Sequence, residues 1–217
     1  MNIKQDNYEI IKQIGKGSYS QIYQAFDKKN KRYCALKVIK KELINKSKEK
    51  DYLIKLIKNE VKIMNLCKSK NIVEFYDYFE TINSFVISME LCNFDLEQYI
   101  QKKKENSVLL DLSFIQRFFK DLNNAILTLC KYHIIHRDLK PSNIFIKIEN
   151  GNLIPKLGDF GISTIDLIVD KNFFYGTPTF MAPELLLNIS NNKAINELYI
   201  YNSNKCDLYM LLGKMIK

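Results

Sequence analysis

Two short runs constrain this chain more than anything else in it. Residues 136–143 read His136-Arg137-Asp138-Leu139-Lys140-Pro141-Ser142-Asn143, and sixteen residues after that asparagine comes Asp159-Phe160-Gly161. The first run puts a carboxylate, an ammonium and an amide on one short loop. The second adds a carboxylate at the end of a strand. Together they are the minimum set for moving a phosphoryl group: a group that orients a hydroxyl, a cation for the phosphate, and two oxygen ligands for magnesium. Magnesium favours hard oxygen donors and keeps several waters, so one carboxylate and one amide beside nucleotide phosphates suffice. Any fold for this chain must bring the two runs to one place.

In these runs the chain resembles the eukaryotic protein kinases, and further segments extend the likeness. Ile14-Gly15-Lys16-Gly17-Ser18-Tyr19-Ser20-Gln21-Ile22 is similar to the family's glycine-rich loop, with Ser20 in place of the third glycine. Glycine lets backbone N–H groups approach phosphate oxygens without an intervening side chain. An ordinary β-turn is the competing reading of so short a run. Strand-like segments Tyr8–Ile14 and Gln21–Phe26 flank it, as a hairpin loop requires.

Ala35-Leu36-Lys37 resembles the strand lysine that grips the α- and β-phosphates. Tyr33–Ile39 alternates, with Lys37 on the side of Ala35 and with Leu36 and Val38 opposite. An inward ammonium needs a carboxylate partner, because burying it unpaired is costly. Glu42, Glu49, Asp51 and Glu60 compete for that place. Glu60 is preferred: it lies in the amphipathic stretch Asp51–Leu66, with Met64 on the same helical face, and the strand-like Asn71–Phe75 follows.

The resemblance implies the remaining roles. Met89 would guard the back of an adenine pocket, backbone groups of Glu90 and Cys92 would meet the adenine edge, and Ile22, Ala35 and Phe145 would sandwich the ring. Plain core packing is the alternative for the apolar members. Asp95 suits ribose hydroxyls or, equally, a helix cap at Asp95-Leu96-Glu97-Gln98. Asp138 would orient the substrate hydroxyl, Lys140 would sit against the γ-phosphate, and Asn143 and Asp159 would hold magnesium. His136 reads as a packing residue. Lys140, two residues after the aspartate, and Gly176–Glu184, with Thr177 as the peptide-docking residue, resemble the serine/threonine type. The implied activity is ATP- and Mg2+-dependent phosphorylation of protein hydroxyls. A nucleotide-binding but inactive interaction module is the rival.

Composition sets outer bounds. At 217 residues with 47% hydrophobic content, the chain can bury a sizeable core. No run approaches the roughly 18 apolar residues that span a membrane, and the N-terminus lacks an apolar signal core. Five scattered cysteines without metal-ligand spacing read as reduced thiols of an intracellular protein, cytoplasmic or nuclear. The net charge is +9, but thirty lysines stand against three arginines. Lysine lacks arginine's phosphate-matching fork. No aromatic-interleaved basic stripe appears, which argues against specific nucleic-acid binding.

The expected architecture is α+β: a protein-kinase-like two-lobed fold with a β-rich small lobe at 1–89, a hinge at 90–93 and a mostly helical, incomplete large lobe at 94–217. Asp111–Ile135 is its clearest helix, Lys102–Ser107 reads as a solvated linker, and 188–204 as a loop insertion. Two departures bear on activity. Arg137 implies a kinase whose activation segment is ordered by a phosphate, yet Phe173 occupies the expected position, four residues before Thr177. Packing of Phe173 and Phe174, or an activating protein partner, would order it instead, with Tyr175 the conceivable phosphosite. The chain also ends ten residues after Asp207, so Glu184 would lack its usual arginine and Leu208, Leu211, Leu212, Met215 and Ile216 would expose an apolar patch.

Overall fold

Residues Tyr8 to Lys40 form three antiparallel strands: β1 (Tyr8–Lys16), β2 (Ser20–Asp27) and β3 (Arg32–Lys40). The computed structural model describes residues 7–108 and 111–165. Asp27 closes the β2–β3 turn by accepting from Asn30 N at 3.1 Å and Nδ2 at 2.7 Å. Helices α1 (Lys41–Asn45) and α2 (Lys50–Leu66) follow, then β4 (Phe75–Glu80) and β5 (Ser84–Glu90). The five strands form one antiparallel sheet in the order β1-β2-β3-β5-β4. Ala25, Cys34, Leu36, Phe79 and Val86 pack in one cluster of it, and Ile39, Ile44, Ile57 and Phe85 in another that seats both helices.

The short β6 (Phe94–Asp95) leads into α3 (Leu96–Glu105) and α4 (Leu112–Lys131). Phe118, Leu122, Ala125 and Leu129 recur along α4 at three- and four-residue spacing, and all are buried. After it come β7 (Ile134–Ile135), a 3-10 turn at Pro141–Asn143, and the hairpin of β8 (Ile144–Glu149) and β9 (Asn152–Leu157). The described part ends in β10 (Thr164–Ile165). β6, β8 and β9 form a second sheet, and β10 pairs with β7. One continuous core links Ile63 and Met64 of α2, Ile87 of β5, the buried face of α4, and Leu139, Leu157 and Phe160. The architecture is the expected α+β arrangement.

Three local expectations need correction. The α4 helix stops at Lys131, because His133 adopts φ 53° and turns the chain into β7. Lys102–Glu105 is no linker but the last turn of α3, where Lys102, Lys103 and Lys104 face the helix's partial negative end. Of the strand-like Asn71–Phe75, only Phe75 joins the main sheet, as the start of β4; Asn71 lies in a turn and Ile72 makes a parallel bridge to Leu157. Gly176–Glu184 with Thr177, Phe173, Phe174 and Tyr175, the 188–204 segment and the apolar terminus around Asp207 lie outside the described residues.

Candidate active site

Glu60 interrupts the buried stripe of α2, between Ile57 and Ile63. The register of β3 brings Lys37 beneath it, and Lys37 Nζ lies 2.6 Å from Glu60 Oε1. The same ammonium is 3.2 Å from Asp159 Oδ1, so three residues from distant parts of the chain meet at one nitrogen. The rival carboxylates are elsewhere; Glu42 pairs with Lys46 on α1. Burial works against the Lys37 charge, but Asp159 and Glu60 overcome it and raise its pKa well above 10.5. The Lys37 charge, against burial, holds the Asp159 carboxyl below 3.8. Burial raises the Glu60 carboxyl above 4.5 even against the pull of Lys37.

The catalytic-loop run converges on Asp138. Its Oδ2 is 2.7 Å from Lys140 Nζ and accepts from Asn143 Nδ2 at 2.8 Å; the same amide donates to Asp138 O at 2.9 Å. Proline at the start of the 3-10 turn fixes the bend that returns Asn143 to Asp138. Gly158 N donates to Asn143 O at 3.0 Å, and His136 Nε2 is 3.0 Å from Gly158 O, which ties this loop to the stretch before Asp159. His136 is fully buried with its ring 5.1 Å from Phe160, in keeping with a packing role. Arg137 and Asp159 adopt φ 69° and 60°, left-handed conformations uncommon for residues other than glycine.

Opposite, Gly15 pairs with Ile22, and a Cβ on Gly15 would stand 3.3 Å from the Ile22 side chain. Gly17 N donates to Ser20 O at 2.8 Å, which closes the loop between β1 and β2. The Ser20 hydroxyl lies 2.8 Å from where a Gly17 Cβ would be, so serine fits there because Gly17 has no side chain. Ala35 is paired with Met89 across β3 and β5, and Phe145 packs partly buried against the main core. Glu90 N donates to Glu74 O at 2.9 Å. Asp95 caps α3: its Oδ1 accepts from Gln98 N at 2.8 Å, and Gln98 Oε1 accepts in return from Asp95 N.

Residues 8–214 match the protein kinase domain family. This chain is a member of the protein kinase family. It is 32% identical over 195 residues to a probable myosin light chain kinase of Dictyostelium discoideum, covering 86% of this chain and 56% of that protein. It is 33% identical over 192 residues to serine/threonine-protein kinase Nek5 of Mus musculus, covering 87% and 28%. A probable serine/threonine-protein kinase nek3 of Dictyostelium discoideum is 32% identical over 210 residues, covering 95% and 18%. The chain thus spans little more than half the length of the first of these relatives and less of the others.

Protein kinases generally use ATP and magnesium, and the donors present fit that pair. Both N–H groups of Asn143 are directed to Asp138, which leaves its amide oxygen as a ligand. The Asp159 side chain is 47% exposed despite its contact with Lys37, so a cation has access to a carboxylate that stays ionised. No cluster of three or more His, Cys, Asp or Glu side chains placed to hold a metal occurs among the described residues.

Two elements of the site were not foreseen. Glu90 is buried against Lys156 of β9 at 2.8 Å, and Asn59 of α2 donates to Ser163 O at 2.7 Å. A lysine inside the apolar run Leu153–Leu157 signalled the first. Nothing in the pattern distinguished Asn59 from a surface residue.

Proposed function

We propose that this kinase-family chain transfers the γ-phosphoryl group of ATP to serine or threonine hydroxyls of protein substrates. The observation that carries the reading is the anchoring of Asp138, whose Oδ2 meets both Lys140 and Asn143 within 2.8 Å. A carboxylate held this way is oriented before any substrate arrives, so little reorganisation remains for the reacting complex. Asp138 accepts or orients the proton of the incoming hydroxyl. Lys140 neutralises the γ-phosphate, and Lys37, fixed by Glu60, grips the α- and β-phosphates. Asn143 and Asp159 hold magnesium, which supplies positive charge to the phosphate oxygens. Gly15, Gly17 and Ser20 cover the phosphates. Ile14, Ile22, Ala35, Met89 and Phe145 enclose the adenine, with the Glu90 carbonyl and the Cys92 N–H at its edge, and Asp95 lies toward the ribose.

Residues 1–89 serve as the small lobe, 90–93 as the hinge and 94 onward as the large lobe, with Thr177 at the peptide-docking loop. The protein is read as intracellular, with an activating protein as a partner. No helix of the described residues is long and apolar enough to cross a membrane.

The test is transfer from γ-labelled ATP with magnesium to a generic protein substrate, comparing wild type with Asp138→Asn. Loss of an oriented general base costs about 10²–10⁴-fold in rate. Transfer that survives the substitution overturns the reading. A nucleotide-dependent thermal shift with no transfer indicates a binding module instead.

A further inference from the structure

Asn59 precedes Glu60 on α2, and one residue of helix turns its side chain by about 100°. While Glu60 reaches Lys37, Asn59 therefore addresses a different neighbour: its Nδ2 donates to the backbone oxygen of Ser163, 2.7 Å away. Ser163 is itself pinned. It is 2% exposed, its N–H donates to Phe160 O at 3.1 Å, and its Oγ donates to His136 O at 3.0 Å. The next two residues form β10 and pair with β7. The carbonyl that receives Asn59 is thus fixed at once to the stretch carrying Asp159 and to the loop carrying Asp138.

We propose that Asn59 is a positioning residue. It ties α2 to the segment after Asp159, so that the helix stays where Glu60 meets Lys37. Its effect on catalysis rests on the kinase reading above; its effect on the placement of α2 does not. The Lys37–Glu60 contact holds the helix from the sheet side, and the Asn59–Ser163 bond holds it from the other. A helix displaced by one bond length loses both together. A lone buried hydrogen bond would instead affect stability without regard to Glu60.

The test uses the full-length protein with Asn59→Asp, which keeps the shape but faces a carbonyl with an acceptor. Asn59→Leu provides an uncharged second variant, and Asn59→Gln retains a donor. Hydrogen exchange followed by mass spectrometry should show faster exchange in residues 53–66 and 160–165 together for both Asp and Leu, with Gln close to wild type. The kcat should fall by about tenfold, the equivalent of one lost hydrogen bond, with the KM for protein substrate unchanged. In a Glu60→Gln background the same substitution should cost less than about threefold, because sites acting through one contact are not additive. Exchange that changes in only one segment, or equal losses in both backgrounds, overturns the proposal. If the wild type transfers no phosphate, the kinase reading fails while the exchange measurement still decides the role of Asn59.

Discussion

Lys156 Nζ stands 2.8 Å from Glu90 Oε2 behind the connector that joins the sheet to the helices, and neither side chain is more than a tenth exposed. Glu90 Oε2 also accepts from Glu74 N at 3.3 Å. Lys147 of β8 donates to Leu91 O at 2.7 Å and lies 3.9 Å from Glu90. The connector is therefore fastened to the β8–β9 hairpin by charge.

Breaking that pair should cost more than removing it. Glu90→Met strands a buried ammonium and should lower the unfolding free energy by about 3–5 kcal/mol, whereas Glu90→Met with Lys156→Met should cost less than the two single changes combined. Urea unfolding of the four proteins checks this; additive costs would show that the two charges do not act as a pair.

Gly158 is needed for space rather than for an unusual backbone angle. A Cβ there would lie 2.9 Å from Phe145 Cε2 and 2.9 Å from Val73 Cγ2. Gly158→Ala should cost about 1–3 kcal/mol through overpacking. On the proposed function, in which Phe145 encloses the adenine and Asp159 holds magnesium, it should also raise the KM for ATP. Thermal melts and ATP titration of initial rates measure the two effects; an unchanged KM would separate Gly158 from the pocket.

Lys37→Met should turn Glu60 into a pH sensor. Burial raises the Glu60 carboxyl even with Lys37 beside it, and removing the ammonium leaves that burial unopposed. A carboxyl with a folded-state pKa above its unfolded value binds its proton more tightly when folded, so it destabilises as pH rises from the ordinary value of 4.5 toward the folded one. Wild type should therefore already grow more stable toward pH 5, and Lys37→Met should do so more steeply. Its phosphate transfer should fall by about 10²-fold or more, because phosphate positioning is lost. Denaturant midpoints at several pH values, with rates at each, test both statements.

Cys92, in the connector, should be a poor nucleophile. Burial, with Glu90 adding to it, pushes its thiol up to about 12. The thiolate is the reactive species, so at pH 8 native protein should label with iodoacetamide far more slowly at Cys92 than urea-unfolded protein does. A folded-state pKa above the ordinary 9.0 also means that this site costs stability as pH rises above 9, up to about 12. Peptide mapping of alkylated protein reads the rates; equal labelling in both states would contradict the burial argument.

The sequence was most informative where chemistry and periodicity agreed. Lys37 read as inward from alternation, and Glu60 as its partner from its place on an amphipathic face; the structure puts them 2.6 Å apart. Asp95 read as a cap candidate because helix-opening chemistry is local, and its capping box is complete. Local patterns failed where a backbone dihedral or a distant strand decides. The end of α4 depends on a left-handed His133, which apolar spacing does not register. The Asn71–Val73 stretch is held by pairing with Leu157, more than eighty residues away, rather than by joining its neighbours. Asn59 carries no local signal for a similar reason, since its partner is a backbone carbonyl 104 residues on.

The pairing of Asn71–Val73 with Leu157 decides which atoms would travel together in any movement of the five-stranded sheet against β9. Val73 N donates to Leu157 O at 2.9 Å, Leu157 N to Asn71 O at 2.8 Å, and Asn71 Nδ2 to Pro155 O at 3.0 Å. Asn71 and Val73, which precede β4 in the chain, are thereby stitched to β9. A rocking motion of the five-stranded sheet must pivot on both sides of this stitch, at the foot of α2 and again at the connector after β5. The helix that carries Glu60 is rooted at its far end in the stationary half, so closure would swing it like a lever from Cys67 rather than lift it bodily.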